Sequence, residues 1–145
     1  MSQKFSLPIE NSGYYHDRQL IVNGEPDWYF KGYAIFDETF NEGGDDGYEW
    51  ALRFGVAYHK KKKDFIPIPG INTRLMLYQT EGGSYIAART VMPGKEREAK
   101  IIETVEDIKS FFGTTPIARS MYEKLASIYP QFATSLLNDY MKVIK

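Results

Sequence analysis

The chain has 145 residues, no cysteine and a formal net charge of −1, with 18 basic against 19 acidic side chains. That length suits one domain with its own core. The missing cysteines exclude disulfide scaffolds, thiol chemistry and cysteine zinc sites, and the even charge argues against a generic nucleic-acid coat. The unusual component is aromatic: 11 Tyr, 9 Phe and 2 Trp.

Residues 1–17 contain Pro8, Asn11, Ser12 and Gly13 and read as an N-terminal arm, pinned by Phe5, Leu7 and Ile9. A single domain then occupies 18–145. No apolar run follows a basic start, and no stretch reaches the roughly 18 apolar residues of a membrane span, so a cytoplasmic setting without membrane insertion is expected.

Leu20, Ile21 and Val22 before Asn23-Gly24 predict a strand entering a type I′ turn. The next strand is expected from Trp28 to Asp37. Period-two alternation puts Trp28, Phe30, Gly32, Ala34 and Phe36 on one face and Tyr29, Lys31, Tyr33 and Ile35 on the other. Residues 38–47 read as a loop. Tyr48 to His59 alternates most cleanly and predicts one long strand, with Tyr48, Trp50, Leu52, Phe54, Val56 and Tyr58 on one side. Pro67 and Pro69 make 64–73 a stiff connection rather than a central strand. Arg74 to Thr80 and Tyr85 to Met92 form a second hairpin; a two-residue loop at Gly82-Gly83 would set Leu77 opposite Ala88.

Residues 95–103 supply a last strand. Thr104 with Asp107 starts a helix that Gly113 stops. Thr115-Pro116 starts a second, with Ile117, Met121, Leu125 and Ile128 as its buried stripe, widened by Tyr122 and Tyr129. Pro130 starts a third, lined by Phe132, Ala133, Leu136, Leu137, Tyr140, Met141 and Ile144. Strands first and helices last predict an α+β fold: an antiparallel sheet of about five strands covered by a C-terminal layer of two to three helices.

For function, the early rings Tyr14, Tyr15, Trp28, Tyr29 and Tyr33 suit an interface, because tyrosine joins apolar area to a hydroxyl that can stay wet. Arg53, Lys60, Lys61, Lys62 and Lys63 offer a basic patch able to hold phosphates; the plainer reading is a solvated turn that keeps a sheet edge soluble. Asp37, Glu38, Glu42, Asp45, Asp46 and Glu49 offer an acidic docking loop. Their spacing does not match a calcium loop, and no metal site is assigned. His16 and His59 have no evident triad companions. Glu98-Ala99-Lys100 has the acid-x-lysine spacing of metal-dependent nucleases, but needs a second acid from Asp27, Asp37 or Glu49.

These features predict a small non-enzymatic binding or inhibitory protein, with no cofactor and a protein partner, which a second copy of the chain could be. The alternatives are nucleic-acid binding through the basic turn and a metal-dependent hydrolase built on the carboxylates.

Overall fold

A computed structural model of the chain describes residues 3–8, 14–42, 48–51, 56–59, 63–67, 71–92 and 96–141. Its elements are β1 (His16–Leu20), β2 (Trp28–Glu42), β3 (Tyr48–Ala51), β4 (Val56–His59), β5 (Asp64–Pro67), β6 (Ile71–Thr80), β7 (Tyr85–Met92), β8 (Glu96–Ile102), α1 (Val105–Phe112), α2 (Pro116–Ile128) and α3 (Ala133–Leu137). Five strands form an antiparallel sheet in the order β1-β2-β6-β7-β8, and β3-β4-β5 form a smaller one. The expected five-stranded antiparallel sheet with a C-terminal helical layer is what the chain forms.

Register corrects several expectations. The β6–β7 loop has three residues, not two. Thr80 N donates to Ser84 O at 2.8 Å and Gly83 N to Thr80 O at 2.9 Å, while Gly83 takes a φ of +89°. A left-handed glycine closing a three-residue loop is a standard hairpin solution. The one-residue change pairs Leu77 with Ala87 and Tyr78 with Ile86, turning every β7 side chain to the opposite face from the one expected.

In β2 the pairing slips between Ala34 and Phe36, so Ile35 is an extra residue. This bulge reverses the alternation. Phe36 therefore leaves the face of Trp28, Phe30 and Ala34 and joins the helix-side core. The strand also runs on to Glu42, pairing with Ile71, through half of the expected loop.

The predicted long strand at 48–59 is instead two strands, with Tyr48 opposite His59 and Ala51 opposite Val56. Alternation reports faces but not where a chain reverses, and position 48 pairing with 59 separates the even positions of β3 from those of β4. The proline segment contributes β5, which among the described residues pairs with β4 alone. At 22–25 the turn is not type I′. Gly24 has a φ of +78°, Asn23 does not share the positive φ, and Glu25 N donates to Val22 O at 3.2 Å. Pro26 has no N–H for a ladder, and pairing resumes only at Leu20–Trp28.

Both faces of the large sheet are buried, by different means. Leu75, Leu77, Tyr85, Ala87 and Ile102 pack under the helices, against Ile108, Met121, Leu125 and Leu136. On the other face Met76, Tyr78, Ile86 and Ala88 pack against Leu20, Trp28, Phe30, Ala34 and Ala99, all from the sheet itself. A sheet can bury a face in this way only by curling. Asn23 N, just after β1, reaches Arg97 O of β8 at 2.9 Å although these strands are opposite edges. Gly32 permits the curl: a Cβ there would lie 2.6 Å from the Phe30 ring.

Thr104 caps α1 in a reciprocal capping box with Asp107, an aspartate where glutamate is the commoner partner. The Asp107 carboxylate accepts from Glu103 N at 3.0 Å and Thr104 N at 3.1 Å, and these two bonds hold it below the ordinary carboxylate range. Its stabilising effect is thus complete above the unfolded carboxylate value and lost as pH falls through the lower folded value. Urea unfolding from neutral to acidic pH is expected to show Asp107→Asn flattening this part of the acid limb. An unchanged limb would remove Asp107 as a contributor.

In α2 the buried stripe is Ala118, Met121, Tyr122 and Leu125, while Ile128 is exposed. Spacing of i, i+3, i+4, i+7 selects the first set. The third helical segment is short, flanked by 3-10 turns at Pro130–Phe132 and Asn138–Tyr140. Phe132 and Leu136 are buried and Met141 is exposed; Ile144 lies outside the described residues. Lys109, 7% exposed, ties the last turn to α1 through Asn138 Oδ1 at 2.6 Å and Asp139 Oδ2 at 2.8 Å.

Candidate binding surface

The five rings expected at an interface separate into two groups. Tyr15 is buried, and its hydroxyl donates to Gln79 Oε1 at 2.9 Å. Trp28 packs into the inner core of the curl. Tyr14 and Tyr29 are exposed, and Tyr33 is half-buried between them and the core. Tyr14 is 55% exposed and meets the Tyr33 ring edge-on at 6.1 Å, while Tyr29 is 72% exposed. On β2, residues 29, 31 and 33 share the outer face, the side that carries the helices farther along. Gln19 lies opposite Tyr29 and Asp17 opposite Lys31. The result is an exposed strip of rings mixed with a cation, a carboxylate and an amide on the first two strands.

The buried network beneath it was not anticipated from sequence. Gln79 is 1% exposed. It accepts from Tyr15 and donates through Nε2 to Pro8 O at 3.2 Å and to the Tyr85 hydroxyl at 3.2 Å. The Tyr85 hydroxyl also accepts from Leu7 N at 2.7 Å. These bonds fasten the N-terminal segment beside Tyr14. The available signal was a glutamine on the same side of a strand as Leu75 and Leu77.

The expected acidic loop is not one cluster. Asp37 and Glu38 are consecutive on β2 and so face opposite sides. Asp37 accepts two bonds from Arg74, at 2.8 and 2.7 Å, and these raise the guanidinium's pKa. Glu38 pairs with Lys124 of α2. Glu42 ends β2 and Glu49 lies on β3; Asp45 and Asp46 fall outside the described residues. Of the basic patch, Arg53, Lys60, Lys61 and Lys62 also fall outside them, and Lys63 stands exposed in a turn with a φ of 53°.

The histidines and the acid-x-lysine triplet remain apart from these groups. His16 is exposed on β1, and His59 ends β4. Glu98 bonds Arg89 at 2.5 Å, and Asp27 accepts from Gln19 at 2.8 Å. Among the described residues no group of three or more His, Asp or Glu side chains could hold a metal ion. Nor, among them, is any helix long and apolar enough to cross a membrane. A half-open cleft of about 520 Å³ lies where the helices leave the sheet, lined by residues that include Leu75, Arg89, Glu96, Phe112, Thr115 and Ile117. Its arginine is engaged by Glu98 and lies 5.7 Å over Phe111.

No family model, no curated protein and no solved structure matches this chain.

Proposed function

We propose that this chain is a non-catalytic binding domain that engages a protein partner through the strip of Tyr14, Tyr29, Lys31 and Tyr33. The observation that carries the reading is the exposure of Tyr29 and Tyr14 beside charged and amide groups, where the other rings whose burial is described are buried or half-buried. Exposed tyrosine with mixed polar neighbours is the composition of recognition surfaces, where a rigid ring gives contact area at low entropic cost. Farther along, the outer face packs under the helices and residues 3–8, and among the described residues Tyr14 and Tyr29 lie outside that cover.

Tyr14→Ala with Tyr29→Ala should change stability little, since exposed substitutions fall within about 0.5 kcal/mol. The test compares native-cell affinity captures by the parent and this variant, with protein and nucleic acid analysed separately. A protein held by the parent and lost from the variant is expected, and sedimentation would report a second copy as that protein. Identical protein sets on both would overturn the reading. Retention of nucleic acid alone, abolished by changing Lys60, Lys61, Lys62 and Lys63 to Ser, would replace it with the basic-turn alternative.

A further inference from the structure

Residues 3–8 are held to the domain as an extended peptide is held in a groove. Phe5 N donates to Glu103 O at 2.9 Å and Val105 N to Gln3 O at 2.8 Å, with Lys4 opposite Thr104. Gln3, Lys4 and Phe5 thus lie antiparallel beside 103–105. Phe5 and Leu7 are buried, while Lys4, Ser6 and Pro8 are exposed. The Phe5 ring packs against Tyr85 and Phe132. Gln3 Nε2 donates to Gln131 O at 3.0 Å, and its Oε1 accepts from the Ser135 hydroxyl at 2.7 Å. At the inner end Leu7 N donates to the Tyr85 hydroxyl, and Pro8 O accepts from Gln79 Nε2 71 positions away. Backbone pairing with pockets for alternate side chains is how a sheet takes up a separate peptide.

The connector between this arm and the body is short. Five residues, 9–13, separate Pro8 from Tyr14. Both of its ends are tied to one side chain, because Gln79 bonds Pro8 O at 3.2 Å and the Tyr15 hydroxyl at 2.9 Å. The bonds of residues 3–8 named above are made to the groove, so an arm from a second copy would make the same set. Six peptide steps from Pro8 to Tyr14 reach roughly 20 Å at most. In an exchanged pair, Tyr14 of one copy therefore stands within that distance of the other copy's groove. The other copy's Gln79–Tyr15 bond ends the groove next to its own Tyr14. Reciprocal exchange brings the two tyrosine strips into one contact.

We propose that two copies of this chain exchange residues 3–8 reciprocally and form a twofold dimer with the tyrosine strips at its centre. The proposal rests on the strip being a recognition surface and names a second copy as its partner. Exchange replaces each arm bond with an identical one. The net gain is then the burial of the exposed rings, and the net cost is the lost freedom of one chain.

The Lys4–Thr104 pair provides the test. Flanked by the two backbone bonds, it is a non-hydrogen-bonded antiparallel pair with Cα atoms about 4.5 Å apart, within disulfide reach. Full-length Lys4→Cys and Thr104→Cys chains are mixed at millimolar concentration in a glutathione redox buffer, and the linked peptides are quantified by mass spectrometry. Linking of position 4 to position 104 between chains is expected about tenfold or more faster than linking of Lys4→Cys to Glu25→Cys, whose thiol would stand in the exposed 22–25 turn. One chain carrying both Lys4→Cys and Thr104→Cys should close within itself at high dilution, which shows that the substitutions leave the arm seated. A mixture that links no faster than the control, or a double variant that fails to close, would overturn the exchange and leave the strip to its own capture test. Tyr14→Ala with Tyr29→Ala in both chains should slow the linking several-fold. Fast linking indifferent to these changes would overturn the place of the strip at the centre of the dimer.

Discussion

Replacing Phe5 with alanine is expected to destabilise the domain by about 3–5 kcal/mol, the usual cost of emptying a large aromatic site in a packed core. Phe5 is 1% exposed. Its ring meets Tyr85 edge-on at 4.9 Å and Phe132 at 5.0 Å, so it joins the sheet to the last helical segment. Around it, Phe5 N donates to Glu103 O at 2.9 Å and Val105 N to Gln3 O at 2.8 Å. A detached arm would tolerate the change. In thermal unfolding the loss amounts to roughly 10–20 °C, given about 3–4 °C per kcal/mol for a chain of this size. A shift close to zero would mean that residues 3–8 do not hold the domain together.

Gln79→Leu is the second large effect. Leucine fits the apolar face but removes the bonds of Gln79 to the Tyr15 and Tyr85 hydroxyls and to the carbonyls of Leu7 and Pro8. Losing a buried hydrogen bond on one side costs about 1–3 kcal/mol, so a total of roughly 2–4 kcal/mol is expected for this network. The loss should be local as well as global, with hydrogen exchange rising first at Leu7, whose N–H bonds the Tyr85 hydroxyl held by Gln79. Tyr15→Phe combined with Gln79→Leu should cost less than the sum of the two, because both remove the same 2.9 Å bond. Strict additivity in chemical denaturation would show that the network does not act as a unit.

The signals that were legible in the sequence are local. Thr104 with Asp107, Gly113 and Thr115-Pro116 specify their helix ends through groups within a few residues, and the structure has all of them. What the sequence left open turns on single-residue choices with long-range effects. Gly82-Gly83 is compatible with a two- or a three-residue loop, and the choice decides whether Ala87 or Ala88 lies opposite Leu77. Ile35 looks like any strand residue, yet its bulge moves Phe36 from the inner face to the helix side. Alternation through 48–59 is the same for one strand as for two.

The candidate surface followed the same rule. Aromatic content pointed to β1 and β2, but burial set Tyr15 apart from Tyr14 and Tyr29 and left Trp28 and Tyr33 half-buried on opposite faces. The faces of the arginines depend on register as well. With the hairpin shifted by one residue, Arg74 and Arg89 would share a face; in the structure Arg74 lies on the inner face and Arg89 on the outer.

Among the residues whose burial is described, the rings divide between two cores and one exposed strip. Tyrosine nitration of the native chain, mapped by peptide, tests it most directly, because the reaction needs an accessible ring and proceeds through the phenolate. Burial pushes the hydroxyls of Tyr78 and Tyr122 up from the ordinary tyrosine value, and the Tyr122 hydroxyl also donates to Gly113 O at 2.7 Å. Tyr29 and Tyr14 should be modified first, with Tyr15, Tyr78, Tyr85 and Tyr122 protected until the domain unfolds. Modification of Tyr78 or Tyr122 as fast as Tyr29 would contradict the claim.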